Sequence, residues 1–138
     1  MINKSSLSVQ AIIDQYKSTC LILRETTLNG DYKTGNKEGG KVVKIFKALE
    51  RNKELAVLAL PKLFKDENVV TRAKAAAHCL SLSITIDKAL SVLEEIANDE
   101  SLGIFSFNAK MTLQVFKKNG YLKVYQSQKL GEDIKKTK

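Results

Sequence analysis

The chain has 138 residues and carries 23 Lys and Arg against 15 Asp and Glu, a net charge of +8. This length makes one domain or one compact helical array, and a 43% hydrophobic content with a single proline supplies a core and argues against an all-β fold. No apolar run approaches the roughly 18–20 residues that cross a bilayer, and two cysteines are too few for the disulfide framework of a small secreted protein.

The first 17 residues have no uninterrupted apolar stretch and no small-residue cleavage site, so they do not read as a signal peptide. The expected location is cytoplasmic, with no membrane contact. Leu7, Ala11, Ile12, Tyr16, Cys20, Leu21 and Leu28 fall near helical spacing and predict a first helix over 7–28. Ser6 or Ser8 is its expected cap and Asn29-Gly30 its expected stop. Residues 31–40, DYKTGNKEGG, hold three glycines and read either as a loop or as the first turns of a helix continuing over 41–52. In that helix Val42, Val43, Phe46 and Leu49 form an apolar stripe, with Lys41, Lys44, Lys47 and Glu50 off it.

A third helix is expected over 55–64, kinked or broken at Pro61, whose ring removes a donor and crowds the preceding turn. Asp66-Glu67-Asn68 offers caps for a fourth helix reaching Leu82. Ala73, Ala75, Ala76 and Ala77 in that helix admit neighbours at close range. The fifth helix, 87–98, starts near Thr85 or Asp87 and presents Ala89, Leu90, Val92, Leu93, Ile96 and Ala97 as its stripe. The sixth, 105–118, ends at Asn119-Gly120. Tyr121, Leu122, Val124 and Tyr125 are expected to pack as a short last element, and 131–138 to be disordered for want of apolar surface.

The stretch 60–80, LPKLFKDENVVTRAKAAAHCL, has the pattern of a HEAT-type helical repeat: an early Pro, a charged turn, Val69-Val70, then Arg72 and an alanine-rich helix. A looser copy follows over 89–116. Lys65-Asp66-Glu67 and Asn98-Asp99-Glu100 fall at equivalent turns 33 positions apart, whereas Ala73-Lys74 and Ala109-Lys110 are 36 apart, so the second copy needs a small insertion, placed at 103–106. Arg72 is expected to pair with the Asp66 turn and tie adjacent repeats together. The expected fold is an all-α, HEAT-like α-α superhelix of about six helices in three helical pairs. Its domain covers 1–120, followed by a lysine-rich tail at 121–138.

Charge is unevenly placed. Residues 30–53 carry seven Lys and Arg against three acids, residues 117–138 seven Lys against two acids, and residues 85–100 one Lys against five acids. Lys33, Lys37, Lys41, Lys44, Lys47 and Arg51 recur at spacings of 3 and 4, which share one face if the segment is helical. That pattern suits an acidic partner, either a protein surface or a phosphate backbone. The near absence of Arg and aromatics fits diffuse attraction better than base readout. Glu94 and Glu95 form a second candidate patch, suited to a basic partner.

Catalytic chemistry is not expected. His78 and Cys79 are adjacent, but consecutive helical residues point about 100° apart, and one His with two Cys does not make a zinc spacing. His78 is expected to be partly buried against a neighbouring repeat, and Cys20 and Cys79 to be buried reduced thiols. The glycines of TGNKEGGK do not form a phosphate loop, since Lys41 is followed by Val42 and no strand precedes them. No cofactor or metal is expected.

Gly30–Lys37 followed by a helix, then KDENVVTRAKAAAHCL and KALSVLEEIANDESLGIFSFNAKMTLQVFKKN, resembles a group of small bacterial HEAT-like domains. The resemblance covers residues 7–119 and is most marked at KALSVLEEI and FNAKMTL. Members of that group are similar to immunity proteins that neutralise toxins delivered between competing bacteria. The resemblance therefore implies a non-enzymatic module that binds a toxin domain. The toxin surface would be acidic, or would be met by the acidic helix at 87–100. Nucleic-acid binding through the basic strip at 33–51 is the alternative.

Overall fold

The computed structural model describes the backbone of residues 2–124 and the side chains of residues 9–124. Six α-helices and two 3-10 turns lie among these residues, and no strand. They are α1 (Ile2–Asn29), α2 (Tyr32–Arg51), α3 (Lys53–Ala59) running into a 3-10 turn (Leu60–Leu63), α4 (Val69–Leu82), α5 (Ile86–Ala97), a second 3-10 turn (Glu100–Leu102) and α6 (Ile104–Asn119). No helix among the described residues is long and apolar enough to cross a membrane.

Helix α1 is already formed at Ile2, so Ser6 and Ser8 are interior positions and not the cap expected of them. Its stop is the expected one: Gly30 takes φ +79° and donates its N–H to Thr26 O at 2.9 Å. The glycine-rich stretch after it is helix and not loop. The Asp31 side chain accepts from the Thr34 N–H at 3.2 Å, which starts α2 one residue later. Gly35 has a packing reason. A Cβ there would lie 3.2 Å from Thr26 Oγ1, so the glycine marks a close approach of α1 and α2, while Gly39 and Gly40 face open space.

Asn52 closes α2 and caps α3, its side chain accepting from Leu55 N–H at 3.1 Å. The chain keeps a helical backbone into Leu60, then tightens to 3-10 where Pro61 supplies no N–H. Asn68 caps α4 through Val70 N–H at 2.9 Å. Between α4 and α5 the backbone takes positive φ at Ser83 (59°) and Thr85 (39°), neither a glycine. The buried Ile84 sits between them, so burial of that side chain offsets the unfavourable backbone. Gly103 (φ 59°) and Gly120 (φ 78°) bracket α6.

The 33-residue correspondence has a structural counterpart. Asp66 accepts from Asn68 N–H at 3.1 Å, and Asp99 accepts from Ser101 N–H at 3.1 Å, the same turn at both places. The segment after Asp99 is the longer of the two, carrying the 3-10 turn Glu100–Leu102 and Gly103 before α6, slightly ahead of residues 103–106, where extra length is expected. Arg72 pairs with the Asp66 turn as expected, but it does not tie that turn to another element. Its guanidinium donates to the backbone carbonyls of Asp66 (2.8 Å) and Glu67 (3.1 Å), so it braces its own turn. The tie to another element is made by Lys17 of α1, whose ammonium lies 3.5 Å from the Asp66 carboxylate.

Short connections make α1–α2 and α4–α5–α6 antiparallel neighbours. Helix α1 packs on α2, α3, the first 3-10 turn and α4, so it joins the two halves. Tyr16 and Cys20 of α1, Phe46 and Leu49 of α2, Leu60 and Leu63, and Ala75, Ala76 and Cys79 of α4 fill the centre. Leu122 and Val124 pack half-buried on this core without forming a helix. Tyr125 and residues 131–138 lie outside the described residues.

Candidate functional site

The polar groups at the centre form part of the core. The Tyr16 hydroxyl hydrogen-bonds Nδ1 of His78, and Phe46 lies against the His78 ring with centroids 4.7 Å apart. His78 is 1% exposed, deeper than the partial burial expected for it. Burial is the main cause, and Lys74 a lesser one, of a fall in the His78 pKa to about 3. We assign the neutral Nε2–H tautomer, in which Nδ1 accepts a hydrogen bond from the Tyr16 hydroxyl. Burial raises the Tyr16 pKa, and the neighbouring Cys20 and Cys79 raise it further. Both thiols are free and buried as expected, and burial pushes each up to about 11. Thiols held protonated are poor nucleophiles. Among the described residues, no group of three or more His, Cys, Asp or Glu side chains could hold a metal.

The surface candidates are on helices α2 and α5. At 100° per residue, Lys33, Lys37, Lys41, Lys44, Lys47 and Arg51 fall within an arc of about 120°, along about 27 Å of α2. All six are exposed, and neither acid of α2 lies on that arc. The opposite face carries the buried Val42, Ile45, Phe46 and Leu49, so one amphipathic helix both anchors the element and displays the charge. Lys41 is partly answered by Glu38, whose carboxylate lies 2.8 Å away and is nearly buried. Lys33, Lys37, Lys44 and Arg51 make no ion pair among the described residues.

Lys41 and Lys44 also line a groove of about 490 Å³ between α1 and α2. Ile12, Ile45 and Ala48 help line it, and Asp14, Gln15 and Ser18 of α1 add polar groups facing the lysines. The contribution of α1 was missed in the sequence, because Asp14 and Ser18 take on meaning only once α1 and α2 are paired.

Glu94 and Glu95 are exposed on α5. Glu94 faces Lys117 of α6 at 3.9 Å. Helix α5 packs on α4 and α6, so the structure does not unite this acidic pair with Lys33, Lys37, Lys41 and Lys44. A further surface was also missed in the sequence. On α6, Ile104, Phe107, Met111 and Val115 are 46%, 56%, 43% and 40% exposed, on the side opposite the buried Ala109 and Leu113. Their spacing of 3, 4 and 4 was the available signal. The chain matches no protein-family model, no curated protein and no solved structure.

Proposed function

We propose that this chain is a non-enzymatic binding module that takes an acidic protein surface across the exposed face of α2. The observation that carries this reading is the arc of six cations with no carboxylate on it. An acidic patch gains from such a face by steering and by charge matching. Tyr16, Cys20, His78 and Cys79 are buried core groups and take no part in this surface. We further infer a short HEAT-like stack whose three pairs are α1–α2, α3 with its 3-10 turn on α4, and α5–α6, on the strength of the matching Asp66 and Asp99 turns. The resemblance to toxin-neutralising immunity proteins makes a toxin domain the natural kind of partner.

One observation favours a second reading, a nucleic-acid backbone as the partner. The cations form a line about 27 Å long, suited to a row of phosphates, and lysine serves sequence-independent contact. The two readings separate in a retention experiment on cell lysate. It uses the tagged protein and a Lys33→Glu, Lys37→Glu, Lys44→Glu, Arg51→Glu variant, with and without nuclease, at low and moderate salt. The protein reading expects one acidic protein that survives nuclease and is lost in the variant. Recovery of nucleic acid with a steep salt dependence favours the second. Retention unchanged by the four substitutions removes α2 from both.

A further inference from the structure

Helix α6 is apolar on two faces. Phe105, Ala109, Leu113 and Phe116 face the core. At 100° per residue, Ile104, Phe107, Met111 and Val115 lie within an arc of about 80° on the other side, a ridge about 17 Å long. All four side chains are at least 40% exposed. A surface helix of a self-sufficient domain carries one apolar face, so the second is a surface awaiting a partner. Beside it runs an apolar slot of about 190 Å³ between α1, α4 and α6, with Leu23, Val70, Ala73 and Phe105 in its lining.

The charge around the ridge selects the occupant. Helix α6 carries Lys110, Lys117 and Lys118 and no carboxylate. Lys117 faces Glu94, whereas Lys110 and Lys118 make no ion pair among the described residues. Lys74 stands at the slot on the far flank. A second copy laid α6 against α6 would bring Lys110 and Lys118 of both copies together with no carboxylate from either α6, which is unfavourable. We propose that the α6 ridge docks an amphipathic helix of another protein, one whose apolar seam is flanked by carboxylates. Its seam packs along Phe107 and Met111, one of its side chains enters the slot, and its acids meet Lys110, Lys118 and Lys74. This is the helix-on-helix form of recognition, with anchors at i, i+3 and i+4 spacing. The site is separate from the α2 face, with which α6 shares no substantial contact.

The test uses two synthetic 18-residue helical peptides with the same leucine seam, one flanked by Glu and one by Lys, titrated against the full chain by fluorescence anisotropy. The Glu-flanked peptide is expected to bind at least about tenfold more tightly than the Lys-flanked one. Phe107→Glu and, separately, Met111→Glu are each expected to weaken it by about tenfold or more. Neither should change thermal melting, since both side chains are exposed, and Phe107→Leu should retain binding. The four α2 substitutions should leave it intact. Equal binding of the two peptides, or binding that survives both Glu variants, overturns the proposal, as does no binding at all. A dimer in sedimentation that Met111→Glu dissolves overturns it in favour of a second copy.

Discussion

At the scale of single residues, the Tyr16–His78 pair ties α1 to α4 across 62 positions of sequence. His78 is neutral in the fold with a pKa near 3, against 6.5 in the open chain. The unfolded chain therefore binds the extra proton between those values, and stability falls as pH drops through that window. The full effect is about 5 kcal/mol at 1.36 kcal/mol per unit. Urea midpoints measured from pH 7 to pH 4 should decline steadily, and His78→Leu should flatten the decline. A midpoint independent of pH down to 4 would contradict the burial of a neutral ring. Tyr16→Phe leaves Nδ1 without its donor and is expected to destabilise by about 1–3 kcal/mol at neutral pH, read as a lower melting temperature. The sequence placed His78 on a helix and put a metal or catalytic role aside. It did not identify Tyr16 as the partner, because a contact 62 residues away leaves no local periodicity.

At the scale of elements, most helix ends were legible because their signals are local: Gly30 and Gly120 as stops, Asn68 as a cap, Pro61 as a break. Residues 31–40 were ambiguous because glycine propensity opposes the packing of α2 on α1, and packing wins. That conflict gives a graded prediction. Gly39→Ala and Gly40→Ala meet no neighbour and should each stabilise by about 1 kcal/mol, seen as a rise in melting temperature. Gly35→Ala pushes a methyl against Thr26, so it should gain less than either or lose stability. If all three raised the melting temperature equally, the close approach of α1 and α2 at Thr26 would be wrong. The basic arc of α2 was legible for the same local reason, since a spacing of 3 and 4 needs only the helix to be realised. The groove beside it was not, because it needs α1 as its second wall.

At the scale of the molecule, α1 contacts elements from both halves, and its side chains Tyr16 and Cys20 lie at the centre. Neither half keeps its core without α1, so unfolding should be a single cooperative transition. Far-UV circular dichroism and tyrosine fluorescence should give one coincident midpoint in urea, and the absence of Trp keeps the second signal clean. Two separated midpoints would mean that α4–α6 stands alone. The placement of charge and apolar surface on outer helices, away from that core, lets either face be altered with little loss of fold.

The two thiols at the centre carry a kinetic consequence. Neither Cys20 nor Cys79 presents an appreciable thiolate at neutral pH while folded, and both are shielded from reagent. An alkylating agent must therefore wait for the chain to open, and its uptake runs as a clock on opening. Because the two sulfurs belong to the first and fourth helices, equal labelling half-lives would time the collapse of the whole architecture, while faster capture of Cys79 would time a private fluctuation of the turn at Ser83 and Thr85.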